Sequence, residues 1–256
     1  MILRFLGAHN AESKNTRLLS ILIDNTIVLD AGCITSALRF EEQNQIKAIL
    51  LSHGHYDHIR AIPSYAFNNF SKTTNIYASK QTHQILSTHL IDGVIYPKFN
   101  EKTSFTENKP LNQISVKPFQ KFKIDNYTIT PIPVNHIEGS FGYEVLSADN
   151  TKIFFTGDTG PGLEQVWHQV SPDAIIIDLT FPNKLKHFAI NAKHLCPDLL
   201  KNELLSFKTI KNYLPKIMVI HLSPRYKEEI RKEIKQISDE LNYRIEIAVE
   251  DESILI

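Results

Sequence analysis

Four groups able to bind a metal ion arrive within six residues at His53-Gly54-His55-Tyr56-Asp57-His58. Three imidazoles and a carboxylate are costly to bury unless a cation or hydrogen bonds satisfy them. Neutral imidazole and carboxylate suit zinc, iron or manganese, and alternate residues on an extended turn can converge on one ion while the next pair serves another. The stretch follows Ala48-Ile49-Leu50-Leu51, a short bounded apolar run that reads as a buried strand ended by Ser52. Four later points repeat this arrangement of a short apolar strand delivering His or Asp: His136, Asp158, Asp178 and His221. In an α/β sheet, ligands gather beyond strand ends, where loops are free to hold them. Taken alone, His136 or His221 would read as a structural histidine, and Asp158 in Gly-Asp-Thr-Gly as a turn residue. Taken with the cluster, they read as one metal site.

The elements that must position these groups alternate strand and helix. Strands are expected at 2–6, 18–24, 27–30, 75–78, 127–134, 141–146, 152–156, 174–178 and 216–220. Helices are expected at 35–43, 59–70, 80–90, 161–170 and 197–209, and from Pro224 onward, where Tyr226, Ile230, Ile234, Ile237 and Leu241 step by three and four. Residues 92–123, with three prolines and several lysines, read as an irregular loop or a substrate rim. A final strand pair, 244–249 with 253–256, closes the chain. No internal repeat, low-complexity tract or linker divides the sequence, so residues 1–256 read as one domain.

Composition narrows the function classes. Hydrophobic residues make up 42% of the chain, which suits a packed core and excludes a disordered one. Formal net charge is zero, so the chain shows no global footprint for a polyanion. The two cysteines, Cys33 and Cys196, stand far apart in no metal spacing and read as reduced buried thiols. The apolar start at Met1 is too short for a signal peptide, and no run approaches the ~20 apolar residues of a membrane span. The expectation is a cytoplasmic protein without a membrane partner.

The six-residue motif, then His136, Phe155-Thr-Gly-Asp158-Thr-Gly and His221, resembles the metallo-β-lactamase superfamily over essentially the whole chain. That resemblance implies an α/β fold, an αββα four-layer sandwich of two mixed sheets flanked by helices. It also implies a dinuclear metal site at the sheets' edge. Carried over residue by residue, His53, His55 and His136 would hold the first metal, and Asp57, His58 and His221 the second, with Asp158 bridging. Histidine at the second motif position resembles the hydrolytic dizinc branch; Mn2+ or Fe2+ would suit similar donors. Two cations roughly 3.5–4 Å apart can bind a bridging water, lower its pKa and clamp a phosphoryl centre. Asp57 could orient that hydroxide as well as bind metal. A non-catalytic binding module would need ligand loss, and all seven positions carry ligands.

Further stretches bear on the substrate. Residues 157–167, 179–183, 194–204 and 89–99 resemble the class II cyclic-nucleotide phosphodiesterases. The implied reaction is hydrolysis of a 3′,5′-cyclic phosphate, cAMP or cGMP, to a nucleoside monophosphate. The runner-up comes from His221-Leu-Ser-Pro-Arg-Tyr226, which is similar to the final motif of tRNA 3′-processing endonucleases. Zero net charge and the lack of a Gly/Pro-rich arm weigh against an RNA partner. In both related families a histidine near His194 contacts phosphate or protonates the leaving oxygen, a task suited to an imidazole. Where the family pattern usually has a small residue before it, this chain has Lys193. His9, His168 and His187 read as surface residues, and His83 and His89 as partly exposed helix positions. Tyr96, Phe99 and Phe181 could stack a base or pack in the core. Dimerisation is common among related proteins, and residues 92–123 could serve a homodimer.

Overall fold

Strand β11 (Ala174–Asp178) is buried along its whole length, and its residues divide between two cores. Ala174 and Ile176 face one apolar cluster, Ile175 and Ile177 another, as the period of two requires when both sheet faces are covered. The computed structural model describes residues 1–102 and 108–256. Preceding β11 are β1 (Ile2–Gly7), β2 (Ser20–Ile23), β3 (Ile27–Leu29), β4 (Ala48–Leu50), β5 (Thr74–Ala78), β6 (Leu111–Ser115), β7 (Phe122–Ile124), β8 (Tyr127–Pro133), β9 (Phe141–Leu146) and β10 (Lys152–Phe155). After it come β12 (Lys216–Ile220), β13 (Ile245–Ile247) and β14 (Ser253–Leu255).

These strands form two seven-stranded sheets, ordered β14-β1-β2-β3-β4-β5-β6 and β13-β12-β11-β10-β9-β8-β7. Each sheet runs antiparallel over three consecutive pairings and parallel over the other three. One apolar cluster lies between the sheets and includes Phe5, Leu29, Leu50, Tyr143, Phe155 and Met218. A second lies under Trp167, Leu200, Phe207, Ile230, Ile234 and Ile237; a third lies under Ile34, Ile62, Tyr65 and Leu86. Three cores separate four layers, so the α/β class and the αββα sandwich hold.

Most expected elements form. The 3.6-residue stripe of Lys227–Leu241 buries Ile230, Ile234 and Ile237 after a short 3-10 turn at Pro224–Tyr226. The expected helix over 35–43 is two, Ile34–Ala37 and Phe40–Gln45, broken where Leu38 and Arg39 are extended. The expected final strand pair is not a pair: β13 joins β12 in one sheet and β14 joins β1 in the other. Local alternation identifies a strand but carries no information about its partner. The expected loop at 92–123 supplies an edge strand, β6, parallel to β5, and the start of the β7–β8 hairpin. Leu-Asn-Gln-Ile-Ser has only two apolar residues because an edge strand is half solvated. The part of that segment at residues 103–107 lies outside the described residues. No helix among the described residues is long and apolar enough to cross a membrane.

Candidate metal centre

Strand β4 ends at Leu50, and the backbone then runs through His53 and His55 before a short helix, Tyr56–Ile59, takes Asp57 and His58. His53 and His55 are therefore presented from irregular backbone, and Asp57 and His58 from one helical turn. Gly54 fits because a Cβ there would lie 2.5 Å from Ile85 Cδ1. Gly32 is tighter: a Cβ there would meet the Asp57 carbonyl oxygen at 2.2 Å. His136 comes from the β8–β9 connection, Asp158 follows β10, and His221 follows β12 in the left-handed region at φ 65°. The His221 N–H donates to the Ala8 carbonyl at 2.7 Å, which ties this strained residue to the first strand's end.

The structure brings together all seven residues expected from sequence. His53, His55, His136 and Asp158 form one group of converging donor atoms, and Asp57, His58 and His221 form another. Asp158 stands between them. Its Oδ2 lies 3.6 Å from His53 Nε2 and 3.7 Å from His136 Nε2, while its Oδ1 lies 3.2 Å from His58 Nε2 and 3.4 Å from His221 Nε2. Asp57 Oδ2 completes the second group, 3.0 Å from His221 Nε2. Three atoms at the centre, His53 Nε2, His58 Nε2 and Asp158 Oδ1, are buried with no hydrogen-bond partner. Buried polar atoms in native proteins are rarely left unpaired. A cation in each lobe would satisfy them, so the residues fit a two-metal centre.

Behind the ligand atoms, a set of acceptors fixes each ring. His58 Nδ1 meets Asp30 Oδ2 at 2.7 Å, and Ser52 Oγ lies 3.0 Å from His53 Nδ1 while donating to Asp30 Oδ2. His136 Nδ1 donates to the Lys193 carbonyl at 3.1 Å, and His221 Nδ1 pairs with Thr180 Oγ1 at 2.8 Å. In these four rings Nδ1 is engaged and Nε2 is left for a metal, the arrangement that sets tautomer and basicity in metal sites. His55 differs by turning Nδ1 inward, 3.1 Å from His136 Nε2. Asp30, Ser52 and Thr180 were not singled out from sequence. Asp30 closes β3 just as the ligands close theirs, so the strand-end pattern could have found it; Ser52 and Thr180 carry no such signal.

Electrostatics follow from this crowding. Burial pushes His53 well below the ordinary imidazole range. Burial acts the same way on His58, yet Asp158, Asp57 and Asp30 outweigh it and hold that ring well above its usual pKa. Asp57 is lowered to about 2, burial being outweighed by His58 and His221. A cation entering the second lobe would thus displace a proton from His58.

His194 lies beside the centre, its ring stacked on His221 at 5.3 Å and tilted against His136 at 5.0 Å. Its Nδ1 donates to Asp178 Oδ2 at 2.7 Å. Asp178 also accepts from Thr180 Oγ1 and from the Thr159 N–H. Burial alone would lower the His194 pKa, but the Asp178 charge raises it to about 9. Lys193, in the left-handed region at φ 54°, sends Nζ to the His136 carbonyl at 2.5 Å, so it braces the His136 loop. The other histidines divide. His168, His187 and His89 are exposed as expected. His9 is buried, its ring 2.6 Å from Glu250, because β-bridges to Leu18 and Leu222 draw it inward. His83 is also buried, on the helix face turned to the core. Phe99 is a core residue, and Tyr96 is hydrogen-bonded to Ser64.

Two facing mixed sheets with helices outside, and paired His/Asp clusters at their edge, define a metal-dependent hydrolase. Residues 21–206 match the family described as beta-lactamase superfamily domain, and the chain belongs to this metallo-β-lactamase superfamily. The fold implies a dinuclear centre for divalent cations. Among curated proteins, the chain is 26% identical over 148 residues to the RNase aCSPSF2 of Saccharolobus solfataricus, covering 53% of this chain and 28% of that protein. The chain thus spans under a third of that relative's length. Among solved structures it resembles unliganded yeast PDE1, with a TM-score of 0.83, 17% identity and coverage of 100% and 99% of the two chains. It also resembles the short form of human tRNase Z, with a TM-score of 0.69, 18% identity and coverage of 100% and 99%.

Proposed function

We propose that the protein is a phosphodiesterase that hydrolyses 3′,5′-cyclic nucleotides to nucleoside monophosphates at a two-zinc centre, with residues 1–256 acting as one domain. His53, His55 and His136 would hold one cation, Asp57, His58 and His221 the other, and Asp158 would serve both. When bound, two such cations supply a water activated near neutral pH and neutralise charge developing on a phosphoryl group. The observation that carries the reading is the shared carboxylate, whose two oxygens face two separate sets of imidazoles.

Residues of the chain supply the rest. Asp57, held ionised at about 2, can accept a hydrogen bond from an attacking water as well as hold metal. His194 keeps Nδ1 on Asp178, which leaves Nε2 to contact a phosphate oxygen or protonate the leaving one. A balanced charge supports a small substrate over a polyanion. A second reading, an endoribonuclease, is favoured by the RNase relative and by the tRNase Z likeness. A side-by-side assay on cyclic AMP, cyclic GMP, an aryl phosphodiester and a precursor tRNA separates the two. Cleavage of precursor tRNA without turnover of either cyclic nucleotide would sink the first reading. Elemental analysis is expected to find two zinc ions per chain, and manganese or iron in their place would change the metal but not the site.

A further inference from the structure

Next to His194 lies a cavity of about 460 Å³ whose lining shares no residue with the seven-ligand set. It is walled by Phe181, Phe188 and Tyr226, with Asn10, Ser223 and Arg225 around it. Chain connectivity explains its position. Phe181 follows Thr180, which orients His221; Ser223 and Arg225 follow His221; Asn10 follows His9, which bridges to Leu222. The Phe181 ring stands edge-on to His194 at 5.8 Å and meets Phe188 at 5.1 Å and 88°.

Two features are not needed for folding. Phe188 is 55% exposed on the helix Lys186–Ala192, although an aromatic ring gains most when buried. Asn10 Oδ1 is buried without a hydrogen-bond partner in the cavity wall. A volume of this size lies within the roughly 300–1,000 Å³ common for small-molecule sites, and aromatic walls with a few polar groups are their usual lining. Flat aromatic faces are what a nucleobase stacks on, and an exposed guanidinium can pair with a base edge.

We propose that this cavity receives the base of the nucleotide whose phosphate lies at the metal centre, with the exposed Phe188 ring as the stacking face, Phe181 standing at right angles to it and Arg225 at the rim. The inference rests on the nucleotide reading above and adds the residues that recognise the base. Phe188 and Arg225 are exposed, so replacing either leaves the core untouched.

The test is calorimetric binding of AMP, GMP and ribose 5-phosphate to the metal-loaded protein, in which both ligand types carry a phosphate and only the nucleotides carry a base. Both nucleotides are expected to bind at least about fivefold more tightly than ribose 5-phosphate, given what one stacked base contributes. Phe188→Ala and Arg225→Ala should each weaken the nucleotides by roughly 5- to 30-fold and leave ribose 5-phosphate unchanged. Equal binding of all three, a gap that survives both substitutions, or weakened ribose 5-phosphate in either variant would overturn the assignment. Because the readout is binding, an intact base-dependent gap without cyclic-nucleotide turnover supports the cavity and fails the reaction.

Discussion

Asp178→Asn keeps the shape of the side chain and removes the charge beneath His194. The buried carboxylate accepts from His194 Nδ1 at 2.7 Å, Thr180 Oγ1 at 2.6 Å and the Thr159 N–H at 3.1 Å. Burial opposes a charged imidazole, and Asp178 reverses that, raising its pKa from 6.5 to about 9. Cations in the neighbouring lobes would act against Asp178, so this value is the upper end for the loaded enzyme. An imidazole titrating at about 9 is about nine-tenths protonated at pH 8. Returned to its ordinary value or below, it is protonated to at most about 3%. The proton-donating form therefore falls roughly thirtyfold. The assay is kcat/KM against pH for a cyclic nucleotide, whose leaving alkoxide needs a proton, and for an activated aryl phosphodiester, which does not. The variant should lose up to about thirtyfold at pH 8 on the cyclic nucleotide, with its alkaline limb moved to lower pH, and little on the aryl ester. Metal content, measured in parallel, should be unchanged. An unmoved alkaline limb, or equal loss on both substrates, refutes proton donation by a His194 held charged by Asp178.

Other consequences follow from the same contacts. In the chelated protein, the raised His194 pKa contributes about 3 kcal/mol of stability, fully present below pH 6.5 and lost as pH rises through about 9. Urea unfolding at both ends should show a loss about 3 kcal/mol smaller in His194→Ala, where His58 still titrates, than in the wild type. Asp158→Asn removes the carboxylate shared by both lobes. Elemental analysis should then find fewer than two metals per chain, and two retained ions with full activity would contradict the sharing. Glu203, buried, accepts from the Gly162 and Leu163 N–H groups and from Trp167 Nε1. Glu203→Ala strands three donors, each worth about 1–3 kcal/mol when left unpaired, so the urea midpoint should fall sharply. Gly32→Ala forces a Cβ against the Asp57 carbonyl. The same Cβ would lie 2.7 Å from Leu18 Cβ and 2.8 Å from the Leu19 carbonyl, so both stability and metal binding should fall, as paired metal and unfolding titrations would reveal.

Much of the site was legible because its chemistry is unsuited to a core. His53, His55, Asp57, His58, His136, Asp158 and His221 each stand where an apolar strand ends, and a strand end is a local feature. The groups that hold these residues were less visible. Asp30 and Thr180 act through neighbours 28 and 41 positions away. Asp178 was visible as a strand end, but its service to His194 depends on a loop that returns 16 residues later. His9 read as a surface residue because nothing local hints that Glu250, 241 residues downstream, meets its ring.

Residue types and periodicity alone determined the alternation of strands and helices, the balanced charge, the metal-binding donors and the superfamily these resemble. These are local properties, set by side-chain chemistry and by the period of two or 3.6. Tertiary structure alone decided that β13 and β14 part to different sheets, that β6 completes an edge, and that Asp158 faces two sets of imidazoles at once. Only the fold set Phe181, Phe188 and Arg225 around a cavity beside His194. Pairing, burial and convergence depend on which distant segments meet, and that is settled by sheet packing rather than by any stretch of sequence.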